Sequence, residues 1–227
     1  SLVAGISKAQ IAELEGRCVE TLAALAKLAF PLDPKPARGA MESYERVHEQ
    51  ARVQLEGRRQ ERPVYELLPA EEGFGLSLLP EPTPKDVFLD FEGARFAGEH
   101  GLEYLFGVVA LGPDGEPAYE PGWALTVEDE KAAFERFIDD AMARWDANEG
   151  FHIYHYAPYE PSAIKRLMGR HATREDEVDR LLRGGRFVDL YAIVRHAVRA
   201  SVESYSIKCL EPFFGYERDV DLRTASR

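Results

Sequence analysis

The sequence predicts an α/β fold in which a mixed five-stranded sheet carries helices on both faces and follows a small helical segment. The first observation is a set of short apolar runs, typical of strands, at residues 87–92, 102–111, 119–125, 151–156 and 187–189. The second is a set of runs with apolar residues three and four apart, typical of helices, at residues 128–145, 161–168, 173–182, 190–198 and 206–214. Glycine turns between the first three strands favour antiparallel pairing.

Residues 1–62 form the predicted helical segment. Ser7 and Gln10 fit the capping box of a first helix, and residues 21–28 predict a second helix beyond a glycine. Two short helices around a glycine resemble a helix-hairpin-helix, whose turn amides contact nucleic-acid phosphates; simple packing is the alternative. A third amphipathic helix is predicted over residues 41–59.

Residues 63–84 predict a Pro-rich linker, extended against the following domain, because prolines cannot donate ladder hydrogen bonds. Residues 85–227 then form the predicted α/β domain. The chain begins with Ser1 and ends at Arg227 without a helix stop, so we expect a fragment of a longer protein with a C-terminally truncated domain.

Composition excludes several classes of protein. With 45% hydrophobic and 30% charged residues, the chain is typical of globular proteins. No apolar run approaches the roughly 18 to 20 residues of a membrane span, and no secretory signal precedes the fold, so no membrane partner is expected. Cys18 and Cys209 form no ligand cluster, which favours a reducing, cytoplasmic location.

The net charge of −12 is concentrated in the middle of the chain. Residues 63–159 contain 5 Lys and Arg against 20 Asp and Glu, a net charge of −15. Carboxylates repel phosphate unless divalent cations lie between them, so the pattern allows a metal-dependent nucleic-acid site. A solvated acidic surface explains most of these residues equally well.

Asp90 and Glu92 are the first candidates for chemistry. They lie two residues apart on a predicted strand, so both point to one face, and Leu89 and Phe91 point to the other. Two carboxylates on one face repel each other, and a divalent cation between them removes that penalty. An ordinary solvent-exposed strand end is the alternative. A glycosidase is disfavoured, because its paired acids face each other across a cleft.

The string Val87-Phe88-Leu89-Asp90-Phe91-Glu92-Gly93 resembles the first motif of DEDD-type 3′–5′ exonucleases. The segment from His152 to Glu160 lies where that family has its second motif, with Glu160 at the position of the usual Asp. Phe187-Val188-Asp189-Leu190 and Tyr205 to Leu210 also fit. The run resembles the RNase H-like domain of RecB-family nuclease and helicase proteins, whose fold has the strand and helix order predicted above.

The resemblance implies two-metal phosphodiester hydrolysis with Mg²⁺ or Mn²⁺, on DNA in preference to RNA, inside a larger protein with RecB-type nuclease and helicase domains. It implies that Asp90, Glu92 and Glu160 hold the metals and that Asp189 is a further catalytic residue; capping of the next helix is the alternative for Asp189. His155, Tyr159, Lys165 and Lys208 are candidates for substrate binding, with packing or surface charge as alternatives.

Two departures from the family pattern favour a rival, a catalytically inactive nucleic-acid-binding module. Glu160 replaces Asp, and its extra methylene shifts the carboxylate. The third motif, a Tyr or His shortly before a final Asp on a helix, is missing before Arg227. Asp219 and Asp221 are weak substitutes for that acid in a polar stretch. Little nuclease activity is therefore expected of the chain as it stands.

Overall fold

The predicted strands assemble into one sheet in the computed structural model, which describes residues 3–216. The helices are α1 (Lys8–Glu15), α2 (Leu22–Leu25), α3 (Met41–Gln60), α4 (Val127–Ala147), α5 (Tyr159–His171), α6 (Glu175–Arg183), α7 (Leu190–Ala197) and α8 (Ile207–Leu210). The strands are β1 (Tyr65–Leu67), β2 (Val87–Ala94), β3 (Leu102–Leu111), β4 (Pro117–Trp123), β5 (Ile153–His155), β6 (Phe187–Asp189) and β7 (Val198–Ala200). Short 3₁₀ helices lie at Gly75–Leu78 and Glu211–Phe214.

The described chain divides into two units, one of residues 77–193 and the other of residues 3–76 with 194–216. The division does not coincide with the boundary predicted between residues 84 and 85, and the predicted domain limits stay a prediction. Each unit has its own buried apolar cluster.

The unit of residues 77–193 contains a five-stranded mixed sheet with strand order β4-β3-β2-β5-β6. β2 pairs with β3 and β3 with β4 in antiparallel fashion, whereas β2 pairs with β5 and β5 with β6 in parallel. This confirms the predicted fold class and matches the RNase H-like order of strands. The central position of β2 brings Asp90 and Glu92 to the middle of the sheet.

Helices cover both faces of this sheet, as predicted. On one face, α4, α5 and α6 bury Phe134, Ile138, Ile164, Leu167 and Val178 against the inward side chains of β2, β3 and β5. Full burial of each such side chain contributes roughly 1.5–3 kcal/mol. On the other face, Ile193 of α7 packs on Tyr154 of β5 and Val188 of β6.

The first helices of the other unit agree only in part with those predicted from the sequence. Ser7 and Gln10 form the predicted capping box of α1. The second helix is wrong in length, since α2 ends at Leu25 and not at residue 28, with Thr21 as its N-cap. α3 spans its predicted range and buries Tyr44, Val47 and Ala51, with Leu55 half-buried.

Two short strands were missed. β1 lies inside the stretch predicted as a linker, and it pairs antiparallel with β7, with Tyr65 opposite Ala200. The continuous helix predicted to residue 214 is instead α8 followed by a 3₁₀ turn, because Pro212 has no N–H to continue the helical bonding.

Candidate functional site

The open face of β2 carries both predicted carboxylates. Val87, Leu89 and Phe91 are buried, whereas Asp90 and Glu92 are exposed, so the alternation places the two acids on the face opposite the α4–α6 layer. A β-bulge follows between Glu92 and Gly93. A bulge re-aims the neighbouring side chains, and such bulges are over-represented beside active sites.

The strands beside β2 shape the surroundings of the acid pair. Asp90 lies opposite Gly107 and Glu92 opposite Leu105. A Cβ at Gly107 would lie 3.1 Å from the Tyr119 hydroxyl and 3.2 Å from the backbone oxygen of Asp90, so the glycine makes room for that ring. Tyr119 and Trp123 on the edge strand β4 are both exposed. Sequence reasoning missed these rings because register, not residue type, brings them to this face.

Glu160 lies in the first turn of α5 and is only 3% exposed. Its Oε2 atom has no hydrogen-bond partner and lies 3.6 Å from Nδ1 of His155. A buried carboxylate oxygen without a partner is unfavourable. A bound cation or a hydrogen-bond donor next to Oε2 would remove this penalty.

Asp189 ends β6 and accepts backbone hydrogen bonds on one oxygen. Oδ1 accepts from the amides of Ala157 at 2.9 Å, Tyr191 at 2.9 Å and Ala192 at 3.3 Å. The hydrogen bonds from Tyr191 and Ala192 cap α7, which is the capping alternative stated for this residue. The hydrogen bond from Ala157 joins β6 to the turn that leads into α5.

His155 is buried, and its Nδ1 lies 2.7 Å from the carbonyl oxygen of Ala157. Lys165 is exposed on α5, and Lys208 belongs to the other unit. The substrate-binding roles of these residues stay predictions.

Tyr159 points inwards to Glu103, a buried carboxylate that sequence reasoning missed. The Tyr159 hydroxyl donates to Glu103 at 2.9 and 3.0 Å, and the guanidinium of Arg166 also contacts Glu103. Burial raises the pKa of the Tyr159 phenol, and its hydrogen bond to Glu103 adds to the increase. An acidic residue on a strand gives no signal of this pairing, because the partners lie on a distant helix.

A second buried carboxylate fixes α4 to α5. Glu130 is fully buried and accepts from Arg170 at 2.8 Å, lies 2.8 Å from Nε2 of His171, and accepts from the backbone amide of Glu103 at 2.6 Å. Charge pairing of this kind is required when a carboxylate leaves water. The network supports the start of β3, beside the end of β2.

The carboxylates suit a divalent cation by donor type. Carboxylate oxygens are the ligands that Mg²⁺ and Mn²⁺ prefer. Asp90 and Glu92 supply them on one face, and the orphan Oε2 of Glu160 is a third. Within residues 3–216, however, no group of three or more His, Cys, Asp or Glu side chains lies close enough to hold a metal ion. Asp219 and Asp221 lie outside the described residues.

The sheet order, with an acid-bearing strand at its centre, is that of an α/β domain with RNase H-like topology. A family model described as the RNase H superfamily matches residues 87–226, more than half of the chain. The chain therefore belongs to the RNase H superfamily. This membership implies nucleic-acid binding and a hydrolase-like function, and nucleases of this kind generally use divalent metals. No curated protein and no solved structure matches the chain.

Among the described residues, no helix is both long enough and apolar enough to cross a bilayer.

Proposed function

We propose that this chain is a metal-dependent nuclease domain that hydrolyses phosphodiester bonds in nucleic acid in the manner of 3′–5′ exonucleases. The observation that carries the proposal is the exposed pair Asp90 and Glu92 on one face of the central strand of an RNase H superfamily domain. The preference for DNA over RNA rests on the motif resemblance alone. The proposal that a parent protein also carries RecB-type nuclease and helicase domains rests on the same resemblance. The proposed cytoplasmic location rests on the low cysteine content.

Asp90 would hold both of two Mg²⁺ or Mn²⁺ ions, Glu92 would hold one and orient the attacking water, and Glu160 would hold the other. When bound, such ions lower the pKa of a bound water and stabilise the charge on the leaving oxygen. The orphan oxygen of Glu160 supports its role as a ligand, because a cation would satisfy it.

Calorimetric titration of the whole chain with Mn²⁺ tests the metal site. Asp90→Asn should weaken Mn²⁺ binding about tenfold or more, because an amide oxygen is a poorer ligand than a carboxylate. Glu120→Gln is the matched control: Glu120 is exposed on β4 opposite Val108, and Val108 packs against the α4–α6 layer. This control should bind like wild type.

Cleavage of 5′-labelled single-stranded DNA and RNA of one sequence, with Mg²⁺, tests the chemistry. We expect weak cleavage, shortening from the 3′ end, that is lost in Asp90→Asn and kept in Glu120→Gln. Cleavage that survives Asp90→Asn, or absence of any Mn²⁺ binding by wild type, contradicts the proposed nuclease.

A catalytically inactive nucleic-acid-binding module is the second candidate. It is favoured by the lack of a three-donor group within residues 3–216 and by the burial of Glu160. Fluorescence anisotropy with the same oligonucleotides separates the two. Binding without cleavage, unchanged in Asp90→Asn and without Mn²⁺, is the result that this candidate predicts.

A further inference from the structure

The turn between β5 and α5 is held by side chains from two neighbouring strands. The amide of Ala157 donates to Oδ1 of Asp189 at 2.9 Å, and the carbonyl of Ala157 lies 2.7 Å from Nδ1 of His155. A carbonyl oxygen only accepts, so Nδ1 of His155 carries the proton. His155 and Asp189 lie opposite each other in the parallel β5–β6 pair. The N–H and the C=O of Ala157 are therefore both hydrogen-bonded by side chains from the same end of these two strands.

Ala157 has a backbone conformation that alanine rarely adopts. Its φ of 72° is left-handed, which is unfavourable for a residue with a Cβ. Such a conformation persists when the surroundings over-determine it. Here the hydrogen bonds from His155 and to Asp189 hold Ala157 in this conformation. The helix α5 begins two residues later, at Tyr159.

The direction of the first turn of α5 decides where Glu160 points. Glu160 is the second residue of α5, and its buried Oε2 accepts no hydrogen bond, although it lies 3.6 Å from Nδ1 of His155. Left to relax, the turn would swing this carboxylate towards water, because an unpaired buried oxygen is unfavourable. Something must therefore hold the helix start in place.

We infer that His155 and Asp189 are positioning residues that fix Ala157 in its left-handed conformation and so hold the carboxylate of Glu160 in its buried position. The inference rests on the proposed function, in which Glu160 is a metal ligand. It assigns both residues a role different from those that the sequence resemblance implied, substrate contact for His155 and catalysis for Asp189. Neither needs to touch substrate or metal.

The hydrogen-bond roles predict which substitutions are tolerated. Three amides converge on one oxygen of Asp189, so an acceptor is needed there but a negative charge is not. Asp189→Asn keeps such an oxygen, and Asp189→Ala removes it. At His155 a donor is needed near Nδ1. His155→Asn places its amide nitrogen there, and His155→Leu has no donor.

Mn²⁺ affinity of the whole chain, measured by electron paramagnetic resonance, is the first readout. Asp189→Ala and His155→Leu should weaken binding about tenfold or more, the usual effect of losing a group that orients a ligand, whereas the two Asn variants stay within about threefold of wild type. Asp139→Asn is the control, because it breaks an exposed Arg–carboxylate pair of 2.6 and 2.8 Å between α4 and Arg174. It should not alter Mn²⁺ affinity.

Hydrogen exchange of the Ala157 amide is the second readout and needs no metal. Asp189→Asn should keep its protection and Asp189→Ala should lose it, while thermal unfolding midpoints identify any variant that has lost the fold as a whole. If His155→Leu and Asp189→Ala unfold, the Asn variants still decide the question by retaining or losing Mn²⁺ affinity.

Three results overturn the inference: loss of Mn²⁺ affinity in Asp189→Asn as large as in Asp189→Ala, which would make the charge a ligand; wild-type affinity in a folded Asp189→Ala; or an Ala157 amide that exchanges freely in wild type. Failure of the proposed function is recognised separately. In that case wild type binds no Mn²⁺, or Asp90→Asn binds it as well as wild type does. Wild type without Mn²⁺ binding also removes Glu160 as a ligand and with it the positioning role.

Discussion

Glu103 and Gly93 face each other across the β-bulge of β2 and β3, and the carboxylate of Glu103 occupies the space that a side chain at Gly93 would need. The Tyr159 hydroxyl, which donates to Glu103, would lie 2.7 Å from a Cβ built at Gly93. The strand end that carries Glu92 is therefore packed directly against the start of α5, which carries Glu160. Glycine at this position is required by close approach and not by a left-handed backbone.

Gly93→Ala should destabilise the chain by roughly 1–3 kcal/mol, because the added methyl must displace Glu103 or the Tyr159 ring in a packed site. Urea unfolding followed by circular dichroism measures the loss. Gly169→Ala on α5 is the matched control. A Cβ there meets no atom within 4 Å, and alanine is the better helix former, so the control should gain up to about 1 kcal/mol. A neutral Gly93→Ala would show that this packing is loose.

Tyr159→Phe tests the hydrogen bond to Glu103 and its dependence on pH. At neutral pH the variant should lose about 0.5–1.5 kcal/mol, the net value of a typical hydrogen bond. Burial and the Glu103 bond raise the pKa of Tyr159 in the folded state. Its contribution is therefore complete below the unfolded pKa of about 10 and is lost as pH rises through the folded value.

Urea midpoints of wild type and Tyr159→Phe between pH 7 and pH 11 should consequently converge above about pH 10. Tyr119→Phe, which removes the hydroxyl of an exposed ring, controls for general alkaline unfolding. A constant difference between wild type and Tyr159→Phe over the whole range contradicts the linkage of Tyr159 ionisation to folding.

Glu130→Ala should be among the most damaging substitutions on α4. Removing this buried carboxylate leaves Arg170 and His171 without their charged partner, and breaking a buried pair typically loses about 3–5 kcal/mol. Asp139→Ala removes an exposed ion pair from the same helix and should lose less than about 1 kcal/mol. Equal losses, measured by urea unfolding, would show that the Glu130 network is solvated in solution.

Local periodicity predicted the parts of the fold that local patterns determine. The alternation of β2 was sufficient to place Asp90 and Glu92 on one face, and β3 has its predicted limits. The sequence did not predict β1 and β7, because a strand of three residues is too short to show an alternating pattern. Each of the two strands is also stabilised by pairing with a segment far away in the chain, as Tyr65 pairs with Ala200.

Asp90 and Glu92 were named from their spacing on a strand, and Glu160 from the motif resemblance. Their role as metal ligands stays a prediction. Glu103 was not predictable, because its role depends on a bulge and on a tyrosine from α5. Ala157 was not predictable either, since alanine signals no left-handed turn, and the hydrogen bonds that impose it come from two strands.

Ala157→Gly should raise the stability of the chain by about 0.5–1 kcal/mol. A left-handed residue with a Cβ is strained by roughly 1–2 kcal/mol, and glycine relieves this while losing part of the gain through its greater freedom when unfolded. In the Asp189→Ala background the gain should vanish, because residue 157 is then free to leave the left-handed region.

The double-mutant cycle of Ala157→Gly and Asp189→Ala, measured by urea unfolding, should therefore give a coupling of at least about 0.5 kcal/mol. Additive effects would mean that the left-handed conformation is set by the flanking Tyr156 and Pro158 and not by the bond to Asp189. Gly169→Ala combined with Asp189→Ala supplies the additive reference, since no atom lies near a Cβ at Gly169. Coupling confined to the first pair ties the conformation of Ala157 to the Asp189 side chain.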